Sequence, residues 1–196
     1  MIARDLCTGW GGWLDGLVLE GFDDVHGYDV DARILEGNPH PTTCIDVYDL
    51  PAHELEGADL ITASPPCRDF SKLAMGLGQK WRVKPDPGGR GLDLVKRCLK
   101  IIRDAEPRYW ILENVVGLIP YLGEKPRFKA WVSPTMYRAF WGNFPAFLVP
   151  RDMRKGRMTV RFNWDGLGSA RNSKIPLAFS RAIGKAVRDA VTSSPD

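Results

Sequence analysis

The chain alternates short apolar runs with segments of turn-forming residues, and this alternation predicts its secondary structure. Short runs of apolar and β-branched residues bounded by Gly, Pro or Asp are typical of buried strands, whereas apolar residues three and four positions apart are typical of helices. We expect strands over residues 2–6, 25–30, 43–47, 60–63 and 109–112, with helical segments over residues 13–20, 32–36, 92–105 and from Pro176 onward. Because strands alternate with helices, we predict an α/β fold with a mostly parallel, doubly wound sheet.

Two regions of the chain have a weaker pattern. Residues 68–90 are rich in Gly, Pro, Lys and Arg and predict a long loop. Beyond residue 120 the alternation loosens, and the apolar segments 137–141 and 146–149 predict late strands. The length of 196 residues suits one domain over residues 1–196.

Composition excludes several classes of protein. The net charge of +3 and isoelectric point near 8.7 permit an anionic partner without requiring one. The four cysteines have no C-x-x-C spacing and no matching histidines, so we predict no metal site. Reduced thiols, with no signal peptide and no apolar run of membrane-spanning length, favour a cytoplasmic protein without a membrane partner.

Three successive strand ends carry residues suited to an adenosine-containing cofactor. A glycine-rich turn, residues 5–12, follows the first strand, and such turns let the backbone approach a ligand closely. Asp29 ends the second strand, where a carboxylate can accept both ribose hydroxyls. Asp46 ends the third strand and can accept from an adenine amino group, while Val47 packs on the ring. Each feature alone is also compatible with an ordinary turn, but their order describes a pocket for an adenosyl group.

The fourth and fifth strand ends carry a thiol and a carboxylate. Cys67 follows two prolines that cannot extend a sheet, so it lies on a stiff turn at the edge where α/β proteins bind ligands. Glu113 and Asn114 end the fifth strand. A thiol in this position is either a nucleophile or an inert buried cysteine.

Four segments together resemble the C5-cytosine DNA methyltransferase family. The first motif of the family resembles Asp5-Leu-x-x-Gly-x-Gly-Gly, and its nucleophile motif resembles Ser64-Pro-Pro-Cys67. Its Glu-Asn-Val motif resembles Glu113-Asn114-Val115, and its last motif resembles Arg181-Ala-Ile-Gly-Lys185-Ala-Val187. The four segments follow the order of the family. The resemblance implies a Rossmann-like S-adenosylmethionine-dependent methyltransferase fold. It also implies double-stranded DNA as substrate, with the target cytosine flipped out of the duplex.

The resemblance implies a role for each matched residue. Cys67 would add to C6 of cytosine, Glu113 would contact N3 and the exocyclic amino group, and Asn114 would fix the backbone. Cations such as Arg68 and Lys72 would lower the pKa of the Cys67 thiol. The implied cofactor-binding residues are Asp5, Cys7, Thr8, Gly9, Trp10, Gly11, Gly12, Asp29, Val30, Asp46, Val47, Pro66, Leu94, Lys185, Ala186 and Val187. The implied DNA-binding residues are Arg68, Lys72, Lys80, Arg82, Arg154 and Arg157.

The chain departs from the family in two regions. Cys7 stands where a phenylalanine usually stacks on adenine, and Trp10 is a candidate for the missing aromatic surface. Residues 116–175 are short for a target-recognition domain and lack the Gln-x-Arg-x-Arg pattern. We therefore expect a reduced recognition region there, as in a small phage-type or mobile-element enzyme, or a separate recognition subunit.

The third departure is Lys185, where the family usually has asparagine beside the transferred group. An ammonium there would repel a sulfonium but attract a carboxylate, so carboxy-S-adenosylmethionine and carboxymethyl transfer form one alternative. The other alternative is that Lys185 has no role toward the cofactor and reaches solvent or pairs with an acid. An RNA or nucleotide substrate and an inactive DNA-binding subunit are further alternatives.

Overall fold

The structure, a computed structural model, describes residues 1–71, 86, 88–133, 136–149 and 174–193. The strands are β1 (Ile2–Leu6), β2 (Asp24–Asp29), β3 (Thr42–Cys44), β4 (Leu60–Ala63), β5 (Tyr109–Val115), β6 (Phe128–Ser133) and β7 (Met136–Asn143). The helices are α1 (Gly12–Leu19), α2 (Ala32–Leu35), α3 (Arg90–Asp104), α4 (Ile119–Leu122) and α5 (Leu177–Ser193). Short 3₁₀ turns lie at Ala52–Leu55, Arg68–Phe70 and Val116–Leu118.

All seven strands form one sheet in the order β3-β2-β1-β4-β5-β7-β6. Strands β1 to β5 are parallel, whereas β7 runs antiparallel to β5 and β6 antiparallel to β7. The chain leaves β1 toward one sheet edge and returns to β4 on its other side. The carboxyl ends of β1 and β4, where Leu6 pairs with Ala63, therefore form the switch point at which such sheets bind ligands.

Helices cover both faces of the sheet and bury two apolar clusters. On one face α3 packs Val95, Leu99 and Ile102 against the sheet. On the other face α1 and α5 pack together, with the Trp13 and Phe179 rings 6.2 Å apart in an edge-to-face contact. Since both faces of the sheet are covered, its central strands are largely buried, and every residue of β4 is buried.

The predicted α/β class with a mostly parallel sheet is confirmed. The predicted strand at 137–141 lies within β7, but the one at 146–149 is wrong, and Leu148 is 91% exposed there. Strand β6 was not predicted. Because β6 and β7 complete the sheet, much of the region 116–175 belongs to the fold, and residues 150–173 of it lie outside the described structure. No helix in the described residues is long and apolar enough to cross a membrane.

Candidate active site and cofactor cavity

The turn after β1 is held by a buried carboxylate beneath it. Asp5 is fully buried and accepts hydrogen bonds from the Thr8 hydroxyl at 2.7 Å and the Thr62 hydroxyl at 2.6 Å. Gly9 and Gly11 in the turn both have positive φ, which glycine adopts without strain. Asp5 and Thr8 thus act from below the turn, where they fix its shape.

Burial raises the pKa of Asp5 from 3.8 to about 7, although the hydrogen bonds from both threonines oppose the increase. Between about pH 4 and pH 7 the native state therefore keeps a proton that the unfolded state loses. The associated stability is present below pH 4 and lost as pH rises through 7, on the order of 4 kcal/mol in total. We expect Asp5→Asn to flatten this part of the pH dependence, measured by urea unfolding from pH 4 to pH 8. If the free energy of unfolding fell equally with pH in the unmodified protein and in Asp5→Asn, Asp5 would not be the group responsible.

A cavity of about 510 Å³ opens at the carboxyl ends of β1, β2 and β3, against the first turn of α3. Its walls include seven of the residues implied to bind a cofactor: Cys7, Asp29, Val30, Asp46, Val47, Pro66 and Leu94. Sequence reasoning missed five further lining residues: Leu6, Tyr28, Ile45, Tyr48 and Arg90. The volume and mixed lining suit a ligand of nucleoside size.

Hydrogen bonds fix the polar wall of the cavity. The Asp29 carboxylate accepts from the amide of Gly9 at 3.0 Å and from the amide of Asp31 at 3.1 Å, which joins β2 to the glycine turn. Asp46 accepts from the Tyr48 amide at 3.0 Å. The Arg97 guanidinium donates to the carbonyls of residues 47, 48 and 50, so α3 holds this segment in place.

Several implied cofactor residues lie away from this cavity. The Trp10 ring packs against Gly37, and the aromatic side chains lining the cavity are Tyr28 and Tyr48 instead. Gly12 packs closely against Ile175. Cys7 lines the cavity, but a hydrogen bond with Cys98 and burial raise the pKa of its thiol.

The implied residues of the last motif lie on α5, which packs against α1 on the opposite face of the sheet from α3. Val187 is buried in that cluster, and Ala186 is its partly exposed neighbour. Lys185 is 60% exposed at its side chain and forms an i,i+4 ion pair with Asp189. This geometry agrees with the alternative in which Lys185 reaches solvent and pairs with an acid.

Cys67 lies directly after β4, at the start of the 3₁₀ turn Arg68–Phe70, and its side chain is half-buried. Burial raises the pKa of its thiol, the Arg138 guanidinium lowers it, and the Glu113 carboxylate raises it. The expectation that Arg68 lowers this pKa is wrong, because Arg68 is exposed with its Nε 3.9 Å from Asp69 Oδ1. Among the residues that the structure describes, the cation that lowers the pKa of the thiol is Arg138 on β7, and Lys72 lies outside them.

Glu113 is a buried carboxylate, and two neighbouring residues lower its pKa. Its Oε1 is 2.6 Å from Arg138 Nε, and both side chains are almost fully buried. Burial raises the pKa of Glu113, while Arg138 and a hydrogen bond from the Ser64 hydroxyl lower it. Ser64 in turn accepts from Trp13 Nε1 at 2.9 Å. Sequence reasoning missed the roles of Arg138, Ser64 and Trp13.

Asn114 connects the two strand ends that carry the thiol and the carboxylate. Its side chain is fully buried and donates to the Pro65 carbonyl at 2.9 Å, while its Oδ1 accepts from the Val115 amide. The bond to Pro65 ties β5 to the turn before Cys67. This is the backbone-fixing role expected for Asn114.

Of the implied DNA-binding residues, the structure describes Arg68 alone. Lys72, Lys80, Arg82, Arg154 and Arg157 lie outside the described residues. Within the described part of the chain, no group of three His, Cys, Asp or Glu side chains is arranged to hold a metal ion.

Comparison with known proteins identifies similar chains. Residues 1–127 match the family model of C-5 cytosine-specific DNA methylases. The chain is 44% identical over 61 residues to a probable DNA (cytosine-5)-methyltransferase of Frog virus 3, covering 29% of this chain and 28% of that protein. It is 35% identical over 89 residues to the type II methyltransferase M.SacI of Streptomyces achromogenes, covering 41% of this chain and 22% of that protein. It is 26% identical over 224 aligned positions to the type II methyltransferase M.XorII of Xanthomonas oryzae, covering 100% of this chain and 46% of that protein.

The chain thus spans less than half the length of these relatives. Among solved structures, a protein described as a DNA modification methyltransferase encoded within an E. coli prophage is similar with a TM-score of 0.55 and 20% identity. That similarity covers 73% of this chain and 46% of the other, and it concerns the fold.

Proposed function

Because the chain belongs to the family of C-5 cytosine-specific DNA methylases, we propose that it transfers a methyl group from S-adenosylmethionine to C5 of cytosine in DNA. One observation carries the proposal. The Cys67 thiol and the buried Glu113 carboxylate interact electrostatically at adjacent strand ends, and Pro66, beside Cys67, lines the cofactor cavity.

The cavity residues fit S-adenosylmethionine, which supplies an electrophilic methyl group when bound. Asp29 and Asp46 make part of the wall anionic, which suits a cationic cofactor. Val47, Leu94 and Pro66 provide apolar surfaces for a flat purine ring, and Tyr48 provides aromatic surface in place of the absent phenylalanine. The arrangement supports a site for the adenosyl half of the cofactor.

Cys67 and Glu113 would share one proton in the reactive state. The Cys67 thiolate attacks C6 of cytosine, and the electron pair displaced from the C5–C6 bond moves toward C5. Glu113, protonated in this state, donates to N3 and stabilises the charge that develops on the ring. Burial raises the pKa of both groups, so each resists carrying an unpaired negative charge, and one proton on the pair leaves a single negative charge for Arg138 to balance.

The second half of the reaction releases the enzyme. When C5 takes the methyl group, the donor sulfur would keep the electron pair of the broken S–CH3 bond and leave as S-adenosylhomocysteine. A base then removes the C5 proton, the electron pair of that C–H bond forms the C5=C6 double bond, and the proton at N3 returns to Glu113. The C6–S bond then breaks, and Cys67 leaves as a thiolate. Arg138 assists this departure, since its guanidinium stabilises negative charge on the sulfur.

The DNA substrate would present its cytosine flipped out of the helix, because neither face of a stacked base is accessible to a thiol. Basic residues of segments 72–85 and 150–173 would contact the phosphates, and a separate subunit would supply further recognition. Residues 1–196 as one catalytic domain, in a cytoplasmic protein, complete the proposal.

The alternative donor is not favoured by the structure. Lys185 is engaged with Asp189 on α5 and is not among the residues that line the cavity. We therefore retain methyl transfer, and the test separates the alternatives. The protein is incubated with each donor and with duplex DNA, transfer RNA or deoxycytidine monophosphate, and the nucleosides are analysed by mass spectrometry. We expect 5-methylcytosine in DNA. A carboxymethyl product, or modification of RNA or nucleotide alone, would overturn this proposal.

Asp29→Asn is expected to weaken S-adenosylmethionine binding about 10- to 100-fold, measured by calorimetry without DNA. The variant loses the negative charge and one of the two carboxylate oxygens, which accept from the amides of Gly9 in the glycine turn and of Asp31. Asp31→Asn is the matched control. Asp31 caps α2 through the Arg33 amide, and asparagine caps a helix equally well, so binding should stay within about twofold. Equal loss in both variants would rule out a specific role for Asp29.

A further inference from the structure

A line of hydrogen bonds runs from α1 through Ser64 to the catalytic carboxylate. Trp13 Nε1 donates to Ser64 Oγ at 2.9 Å. Ser64 directly follows Ala63, which pairs with Leu112 of β5, so Ser64 lies beside Glu113, where hydrogen bonding by its hydroxyl lowers the pKa of that carboxyl group. The Trp13 ring is 2% exposed and packs edge-to-face on Phe179, so its N–H has a fixed direction. Ser64 is also fixed, since its amide donates to the Leu6 carbonyl at the end of β1.

The direction of these bonds follows from their chemistry. An indole N–H can donate but cannot accept, so Ser64 Oγ must be the acceptor from Trp13. A hydroxyl has a single proton, and with one lone pair engaged by Trp13 that proton is directed to the Glu113 carboxylate. The serine therefore acts as a donor of defined orientation toward an ionised Glu113.

We infer that Ser64 and Trp13 are positioning residues that set the proton affinity and orientation of Glu113 in the proposed reaction. The hydrogen-bond relay is the series Trp13, Ser64 and Glu113. Its role in catalysis rests on the proposed function, whereas the relay itself does not.

The relay gives Glu113 two donors from opposite sides of the site. Arg138 reaches it from β7, and Ser64 reaches it from the end of β4. Both donors favour the carboxylate and oppose the effect of burial. Among the described residues, Arg138 is the charged group that lowers the pKa of Glu113, and Cys67 is the titratable group that interacts with it, so Ser64 is the neutral contributor. In the proposed reaction Glu113 is protonated when it donates to N3, so the neutral Ser64 donor holds the carboxyl group in place and limits the rise of its pKa without adding a second positive charge.

The relay has a signature that requires neither DNA nor cofactor. In protein labelled at the indole nitrogens of its seven tryptophans, the Trp13 resonance is identified by its loss in Trp13→Phe. We expect this resonance to shift with pH as Glu113 titrates, and the shift to vanish in Ser64→Ala and Glu113→Gln. Asp5→Asn, which removes another buried acid close to α1, should leave the shift intact. A Trp13 resonance that is insensitive to Glu113→Gln would overturn the relay.

Activity provides the second measurement. The reactive state carries one proton on the Cys67–Glu113 pair, so the acid limb of the kcat profile reports the loss of the first of two protons from this pair. Ser64→Ala removes a donor that lowers the pKa of Glu113, so this limb should move to higher pH. We expect the rate on the acid limb to fall about tenfold and the plateau rate to change less than about threefold. Ser64→Thr keeps the hydroxyl and should restore the profile.

Trp13→Phe keeps the aromatic contact with Phe179 and should move the acid limb in the same direction by less. Trp131→Phe, on β6, is its matched control and should leave the profile unchanged. A loss of thermal stability with an unshifted pH profile would mean that Ser64 and Trp13 are merely structural. Absence of 5-methylcytosine with the unmodified enzyme would instead reject the proposed function, while the resonance test still decides the relay.

Discussion

Cys67→Ala is expected to eliminate both methyl transfer and covalent capture of DNA, with a rate loss of at least ~10³-fold. In 5-fluorocytosine a fluorine replaces the C5 proton. After the thiol has added to C6 and C5 has taken the methyl group from S-adenosylmethionine, no base can remove a C5 proton, so the C6–S bond cannot be broken by elimination. The unmodified protein should form an adduct that resists denaturation and that mass spectrometry assigns to Cys67. The variant should form none.

Cys44→Ala is the matched control for this experiment. Cys44 is an exposed thiol at the end of β3, so it is the more accessible of the two to chemical reagents. An adduct that depended on thiol exposure alone would form at Cys44. One that persists in Cys67→Ala and disappears in Cys44→Ala would reject Cys67 as the nucleophile. Cys67→Ser should also fail, because a hydroxyl is far less ionised than a thiol even where burial raises the pKa of the latter.

The strands that hold Cys67 and the cofactor turn could be predicted from local sequence. Each is a short apolar run that ends at residues incompatible with a ladder or helix, such as Pro65 after β4. Strand β6 also carries a usable signal, because Phe128, Ala130 and Val132 alternate with more exposed neighbours. Trp131, an apolar residue on the other face, obscured this alternation. The run at 146–149 has the apolar character of a strand, but β7 already pairs with β5 and β6.

The site was only partly predictable, because it depends on contacts between distant segments. The chemistry of Cys67, Glu113 and Asp29 follows from their places at strand ends. Arg138 could not be found in this way, since its partner depends on the antiparallel register of β5 and β7. That register pairs Glu113 with Phe140, two residues from Arg138 and on the same face. Lys185 shows the opposite case, because Asp189 four residues later already favoured a helical ion pair.

Arg138 carries the second large expected effect. Arg138→Met leaves the Glu113 carboxylate buried without its cation, and we expect a loss of about 3–5 kcal/mol in the free energy of unfolding at neutral pH. Removing Arg138 also raises the pKa of Glu113 further, so the native variant takes up a proton that the unfolded chain releases. The penalty should therefore be smallest at acidic pH and should grow as pH rises. Methyl transfer should fall at least ~100-fold, because Arg138 acts on both Glu113 and Cys67.

The double variant Arg138→Met with Glu113→Gln separates the ion pair from the packing of the arginine. If the cost comes from an unpaired buried carboxylate, the second substitution should recover at least about 2 kcal/mol, and the pH dependence of the penalty should disappear. Arg127→Met is the matched control. Arg127 is exposed, with its guanidinium 4.7 Å from the Phe144 ring centroid, and its loss should cost less than about 1 kcal/mol at every pH. Equal penalties for Arg138→Met with and without the Glu113→Gln substitution would show that the arginine contributes by packing alone. Glu113 would then owe its charge state to burial and Ser64 only.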